Sequence, residues 1–337
     1  MKLERYKGNP ILSPNPKNKW ESLISTNPTA WYDEETREVK LFYRAAGNED
    51  KHYIYLGLAT SKNGFDFTRQ SKKPLISPMP EKYVGGIEDP RIIKMDGVYY
   101  MTFAYRPFAP GKYWIPNNKR KYNPPTLDAA YPRFLRENLS ATGLLISNDL
   151  KKFTYAGMLT NPAFDDRDVI MFPEKIKGQY VTLHRPMEWC GKKYGTNYPA
   201  MWIAMSDDLL GWKNLKLLAK GKHAWEQKIG GSTPPIKTKY GWLVLYHAVG
   251  KDKFYRIGAM LLDLKNPLKI LHRSPKFLLE PEEKYEKEGF YKGVCFPCGN
   301  VVIDGKLIVY YGGADKYVCS ASCDLKKLLD YLRTCSA

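Results

Sequence analysis

Five stretches of this chain read alike: Lys40-Leu41-Phe42-Tyr43-Arg44, Tyr99-Tyr100-Met101-Thr102-Phe103, Tyr180-Val181-Thr182-Leu183-His184, Trp242-Leu243-Val244-Leu245-Tyr246 and Leu307-Ile308-Val309-Tyr310-Tyr311. Each is dense in aromatic and large apolar residues, the composition of a pleated, buried strand. Each follows a short turn phrase: Glu34-Glu35, Asp96-Gly97, Lys177-Gly178, Tyr240-Gly241 and Asp304-Gly305. Gly and Asp tolerate the left-handed backbone of tight hairpins, so each unit opens as strand, turn, strand.

A second phrase recurs after each hairpin, a strand of small residues: Leu58-Ala59-Thr60-Ser61, Leu145-Ile146-Ser147-Asn148, Ile203-Ala204-Met205-Ser206, Gly258-Ala259-Met260-Leu261 and Cys319-Ser320-Ala321-Ser322. Three of these lead into short aromatic segments read as a fourth strand: Phe65-Asp66-Phe67, Phe153-Thr154-Tyr155 and Trp212-Lys213-Asn214. Four strands in each of five units predict an all-β, five-bladed β-propeller with blades near 27–70, 85–158, 168–218, 229–272 and 294–325. Residues 1–337 are then expected to form a single domain, although 337 residues exceed the usual domain size, because repeat folds run long as one unit. Residues 1–26 are available to close the ring, and residues 325–337 carry helical spacing. The second blade holds a long insertion, 107–140, rich in proline and aromatics, expected to be a lid over the propeller mouth or an oligomer contact.

The composition narrows the class. With 53 basic and 35 acidic residues the net charge is +18, a field that draws anions. The basic runs Lys119-Arg120-Lys121 and Lys326-Lys327 are short and accompany no nucleic-acid-binding motif, which argues against nucleic acid as partner. The first ten residues have no apolar core of a secretory signal, and no run approaches the ~20 apolar residues of a membrane span, so no membrane partner and a cytoplasmic location are expected. Reduced thiols follow for the six cysteines; Cys295-Phe296-Pro297-Cys298 with Cys319 and Cys323 is not a clean zinc pattern, and no metal is expected.

In a propeller the inner strands converge on a central funnel, so polar residues at their starts are neighbours across large sequence gaps. The sharpest such phrase is Gly85-Gly86-Ile87-Glu88-Asp89-Pro90-Arg91. Corresponding phrases are Ser25-Thr26-Asn27-Pro28-Thr29, Arg167-Asp168-Val169-Ile170, Trp225-Glu226-Gln227-Lys228-Ile229-Gly230-Gly231 and Cys295-Phe296-Pro297-Cys298-Gly299-Asn300. Strand ends add Arg44, Arg106, His184-Arg185-Pro186, Tyr246-His247 and Gly312-Gly313-Ala314-Asp315.

Together with Asn9-Pro10-Ile11-Leu12, Phe172-Pro173-Glu174-Lys175 and Leu261-Leu262-Asp263-Leu264, these phrases resemble glycoside hydrolase family 130, the β-mannoside phosphorylases and mannosidases, over nearly the whole chain. The resemblance implies a five-bladed propeller and inverting chemistry with Asp89 as the acid, in some members relayed through a hydroxyl of the mannosyl ring. It further implies that Asp315 grips the non-reducing mannose and that Asn27 and Arg44 contact sugar; Glu88, Arg106 and His184 complete the expected substrate set. Inverting hydrolysis needs a base opposite the acid, which a phosphorylase replaces by bound phosphate. Arg and Lys suit phosphate oxygens, and Arg167, Arg185 and Lys228, with His247 and Tyr255 nearby, supply them. The expected reaction is phosphorolysis of short β-1,2-manno-oligosaccharides to α-mannose 1-phosphate, with inorganic phosphate as co-substrate, no other cofactor, and a homo-oligomer left open. Two alternatives stand at this point: a β-mannosidase using water, with Glu226, Glu174 or Glu188 as base, and a non-catalytic glycan-binding propeller.

Overall fold

The computed structural model describes residues 1–79, 82–212 and 214–337. Its strands fall into five antiparallel sheets arranged as a five-bladed propeller. From the axis outward, blade one runs Ile24–Asp33, Glu38–Ala46, Ile54–Ser61 and Thr68–Arg69. Blade two runs Glu88–Met95, Val98–Tyr105, Ala141–Ser147 and Thr154–Met158; blade three runs Asp166–Met171, Tyr180–Pro186, Met201–Ser206 and Lys216–Ala219. Blade four runs Lys228–Gly231, Gly241–Val249, Tyr255–Leu262 and Ile270–Arg273, with Ile236–Thr238 as an extra inner segment on the second strand. In blade five, Cys295–Ile303, Lys306–Gly313 and Tyr317–Asp324 come from the C-terminal end. Its outermost strand is Glu4–Arg5, which pairs with Ser322 and Ala321 and closes the ring.

The hairpin turns behave as their sequences require: Asp96-Gly97, Lys177-Gly178 and Asp304-Gly305 have positive φ at both residues, the conformation of the two-residue turn whose twist matches the flanking strands. Two expected outer strands lie a few residues further on. Phe65-Asp66-Phe67 is a turn leading into Thr68–Arg69, and its Phe67 packs edge-on against Tyr310. In blade three the strand begins at Lys216, and Lys213 of the expected segment lies outside the described residues. At Phe65-Asp66-Phe67 the apolar bulk marked the packing of a bend rather than a paired strand. The insertion of blade two holds two short helical turns, Asn117–Lys119 and Arg133–Arg136, and near its C-terminus the chain forms the helix Leu325–Arg333, capped by Asp324 accepting from the Lys327 amide at 2.8 Å.

The core lies between the blades. Along each second strand, alternate residues point to opposite faces. Leu41 packs with Val301, Ile308 and Tyr310 of blade five, whereas its neighbour Phe42 packs with Ile92, Met101 and Phe103 of blade two. Likewise Leu243 and Leu245 face Leu307 and Val309, while Trp242 and Val244 face Ile170 and Leu183. Each sheet is thus apolar on both sides, and the axis is left to polar residues.

Candidate active site

The innermost strand of four blades carries a register shift near the funnel: between Thr26 and Thr29, Glu88 and Arg91, Arg167 and Ile170, and Pro297 and Gly299. An extra residue at such a bulge bends the strand and re-aims a side chain. In the first three blades that residue is Asn27, Asp89 or Asp168, all at positive φ of 44°, 50° and 61°. Asn and Asp occupy this left-handed region at the least cost among residues with side chains. After Asn27 and Asp89 comes proline, whose missing N–H is tolerated where ladder pairing is broken.

Around these turns lies a cavity of about 570 Å³. On one side Asp89 Oδ1 accepts from Asn27 Nδ2 at 2.7 Å and Arg44 Nη1 at 3.1 Å; the same Nη1 lies 3.4 Å from Glu88 Oε2. Thr26 Oγ1 donates to Asn27 Oδ1 at 2.9 Å, fixing the amide with its N–H toward Asp89. A Cβ on Gly312 would fall 1.8 Å from Asn27 Oδ1, so only glycine fits there. Asp315 also lines the cavity; burial, with the charges of Asp89 and Glu88, outweighs Arg44 and pushes its carboxyl up to about 6. Burial would likewise raise Glu88, but Arg44, Arg106 and Arg167 together hold it below its ordinary value.

Across the cavity the charges are mostly positive. Asp168 is buried and shared: Oδ1 accepts from Arg91 Nη2 at 3.1 Å, and Oδ2 from Arg185 Nε at 2.6 Å with a second contact from Arg185 Nη2. Despite burial, Arg185 and Arg91 hold this carboxyl well below the usual carboxylate range. Arg91 also donates to the carbonyls of Asp89 at 2.7 Å and Ser232 at 3.0 Å, so one guanidinium ties the turns of blades two, three and four together. Arg167 is held by Asp165 through Nε at 2.8 Å and through Nη2. Lys228 Nζ donates to Tyr255 OH at 2.9 Å. Burial and the nearby Arg185 bring the Lys228 ammonium down to about 8, and burial pushes the Tyr255 phenol up to about 12.

Of the residues singled out from sequence, Asn27, Arg44, Glu88, Asp89, Arg106, Arg167, Arg185, Tyr255 and Asp315 line this one cavity. Lys228 reaches it through Tyr255. His184 does not: it is 1 % exposed and held by Asp166 Oδ2 and Thr182 Oγ1, each at 2.8 Å, on the outer side of its strand. His247 is fully buried behind Phe296 and Tyr255, 4.8 and 5.9 Å between ring centres. Burial pushes it down to about 3, leaving a neutral ring with Nδ1 beside Ser232 Oγ at 3.2 Å. The three glutamates considered as a base are engaged elsewhere: Glu174 with Lys237 at 2.6 Å, Glu188 with Arg133 at 2.7 Å, and Glu226 with Tyr246 and Arg273 at 2.6 and 3.0 Å. Asp168 and Arg91 were present in the quoted phrases but not selected; the signal was the equivalence of Asn27, Asp89 and Asp168 at the three bulges. Among the described residues no group of three His, Cys, Asp or Glu is gathered as a metal would need, and Cys295, Cys298, Cys319 and Cys323 are buried free thiols.

A five-bladed propeller with one asymmetric polar funnel, carboxylates facing arginines, belongs to the class of carbohydrate-active propellers. Residues 2–334 match the model of glycoside hydrolase family 130, described as beta-1,4-mannooligosaccharide phosphorylase, and the chain belongs to that family. It is 37% identical over 335 residues to a 1,2-beta-oligomannan phosphorylase of Thermoanaerobacter sp. (strain X514), covering 97% of this chain and 99% of the relative. It is 35% identical over 341 residues to a beta-1,2-mannobiose phosphorylase of the same organism, with the same coverage. Among solved structures, the beta-1,2-mannobiose phosphorylase from Listeria innocua in complex with beta-1,2-mannobiose superposes with a TM-score of 0.79 at 26% identity, covering 99% of this chain and 100% of that one.

Proposed function

We propose that this enzyme cleaves short β-1,2-linked manno-oligosaccharides by inverting phosphorolysis, releasing α-mannose 1-phosphate and a chain shorter by one unit. Phosphate attacks C1 of the non-reducing mannose from the face opposite the glycosidic oxygen. The C1–O bond to the leaving sugar breaks as the C1–O–P bond forms, and Asp89 supplies the proton that the leaving oxygen takes, directly or through a mannosyl hydroxyl. Asn27, Arg44 and Asp315 hold the mannose against Asp89. Arg167, Arg185 and Lys228, with Tyr255, hold the phosphate, Arg as a planar fork and Lys as a point charge.

One observation supports phosphate over water most directly. Asp165 and Asp168, the acids on the positive side, each pair with arginine, and Glu174, Glu188 and Glu226 are engaged away from the funnel, which among the described residues leaves no free base on that side. Lys228 meanwhile stands near Arg185 and Arg167, whose own carboxylates are Asp168 and Asp165, and among the described residues its one side-chain hydrogen bond is to the Tyr255 phenol. The names of the two Thermoanaerobacter relatives support the β-1,2 linkage. We place the reaction in the cytoplasm, where phosphate is abundant and the free thiols stay reduced; no helix among the described residues is long and apolar enough to cross a membrane.

The test is incubation with β-1,2-mannobiose with and without phosphate. The expected products are equimolar mannose 1-phosphate and mannose, only when phosphate is present. Free mannose at equal rates in both tubes would instead make this a β-mannosidase.

A further inference from the structure

We propose that Tyr113 and Tyr291 form an aromatic clamp on the acceptor side of the cavity, binding the leaving end of manno-oligosaccharides longer than a disaccharide. The proposal rests on the phosphorylase reading of the same site and adds its chain-length preference.

Tyr113 comes from the blade-two insertion and Tyr291 from the segment leading into blade five, yet both line the cavity. They keep 36% and 50% of their surface exposed, and Trp114 beside them keeps 39%. Three aromatics this open at the mouth of a polar cavity leave flat apolar faces against solvent, which is the surface that stacks on sugar rings. The side on which they stand identifies the occupant. Inversion places phosphate and leaving oxygen on opposite faces of the mannose. The cations come from blades three and four and Asp89 from blade two, so the leaving sugar departs on the Asp89 side. Tyr113 and Tyr291 line the cavity together with Glu88, next to Asp89 in the chain, and with Arg44, whose Nη1 lies 3.1 Å from Asp89 Oδ1, which favours that side for the two rings.

The clamp is built in advance. Gly111 N donates to Lys51 O at 2.9 Å, and Lys112 Nζ lies 3.5 Å from Asp50, anchoring the insertion to blade one. Arg120 donates to the carbonyls of Ile115 and Tyr113 at 2.5 and 2.7 Å, stapling the turn that presents the ring. From the other side, the amides of Phe290 and Tyr291 donate to Ala314 O at 2.8 and 3.0 Å, the residue before Asp315. Trp114 meets Phe290 edge-on at 4.6 Å and joins the two arms over the buried ring of His52, 4.7 Å from Trp114. A site held this way loses little conformational entropy on binding sugar.

The experiment compares phosphorolysis of β-1,2-linked mannobiose and mannotriose by the native enzyme and by Tyr113→Ala and Tyr291→Ala. Each Ala variant is expected to lose about five- to ten-fold in kcat/KM on the trisaccharide, the size of a lost stacking contact. The disaccharide should lose less than about two-fold on the same reasoning, the KM for phosphate should not move, and Tyr113→Phe should restore the trisaccharide rate. Equal losses on both substrates, or none, would overturn the clamp. Should Tyr113→Ala unfold, Tyr113→Phe and the half-exposed Tyr291→Ala carry the test. Calorimetry on the native protein without phosphate gives an independent readout: tighter binding of mannotriose than mannobiose supports the clamp, and equal binding overturns it. Absence of mannose 1-phosphate from either sugar would sink the phosphorylase reading instead, and calorimetry would still decide the clamp.

Discussion

Two adjacent rows of the propeller, one residue apart in sequence, follow opposite rules. The outer row holds Tyr43, Phe103, His184, Tyr246 and Tyr311; the inner row holds their successors Arg44, Ala104, Arg185, His247 and Gly312. In blades one, four and five the outer tyrosine donates to a buried glutamate that also takes an arginine from the outermost strand. Tyr43 and Arg69 meet Glu21 at 2.9 and 2.8 Å, Tyr246 and Arg273 meet Glu226 at 2.6 and 3.0 Å, and Tyr311 and Arg5 meet Glu286 at 2.7 and 2.8 Å. Blade two puts Tyr83, Phe103 and Tyr155 in the same three places, packed ring against ring. Blade three substitutes the chain Thr182–His184–Asp166. The inner row has no such repetition. Chemistry that recurs from blade to blade is structural; chemistry that differs in every blade builds the one composite site.

The largest break in that comparison is Asp89→Asn. The fold should be untouched, because the amide keeps the size of the carboxylate at an inner position. Loss of the proton donor should cut the rate of mannose 1-phosphate release by about 10²- to 10⁴-fold. Thermal unfolding and initial rates measured on one preparation check both halves. A rate within two-fold of native, roughly the noise of such a comparison against the effect expected for an acid, would move the acid elsewhere.

Next comes an outer lock. Glu226 is 2 % exposed and accepts from the amides of Lys222 and His223 as well as from Tyr246 and Arg273. Glu226→Gln leaves the Arg273 charge uncompensated and turns an N–H₂ toward donors, a loss of about 3–5 kcal/mol in unfolding free energy. The kcat of the folded enzyme should stay native. A collapse of kcat with an unchanged melting temperature would make Glu226 a catalytic base and erase the distinction between the rows.

The same two rows explain what the sequence let one read. The Tyr-rich strand and the small-residue strand stood out because they are two halves of one contact. Tyr43, Phe103 and Tyr246 lie across from Gly57, Gly143 and Gly258, where a Cβ would come within 2.3–2.7 Å of the ring. The third and fourth partners did not stand out as partners, and Glu226 stood out only as a candidate base. Glu21 and Glu286 lie in single helical turns and Glu226 in an irregular stretch, each ahead of its blade, and Arg5 lies at the opposite end of the chain from Tyr311. His184 stays out of the cavity because, on the regular part of its strand, it faces the other side of the sheet from Arg185, where Asp166 and Thr182 hold it. Asp89 and Asp315 were legible through their motifs, whereas Tyr113 and Tyr291 depend on how an irregular insertion folds back, which no periodicity encodes.

The smallest effect sharpens the contrast in charge. Every lock sets an arginine against a buried glutamate, but Lys228 stands beside Arg185 and Arg167 with, among the described residues, only a phenol as hydrogen-bond partner, and burial with Arg185 brings its ammonium down to about 8 from 10.5. A folded value below the unfolded one means that, between about 8 and 10.5, the unfolded chain binds a proton that the phosphate-free native protein does not. The Lys228 contribution to stability therefore rises with pH across that window. Phosphate favours the charged ammonium, so its KM should climb about three- to ten-fold from pH 7 to pH 9 as the unliganded lysine discharges. In Lys228→Met the KM should start high and lose this component of the slope, with the melting temperature at pH 7 equal to native or above it, because a crowded cation has been removed. A native slope retained in the variant would mean that the charge sensed by phosphate is not Lys228, and that the funnel cations are as well compensated as those of the locks.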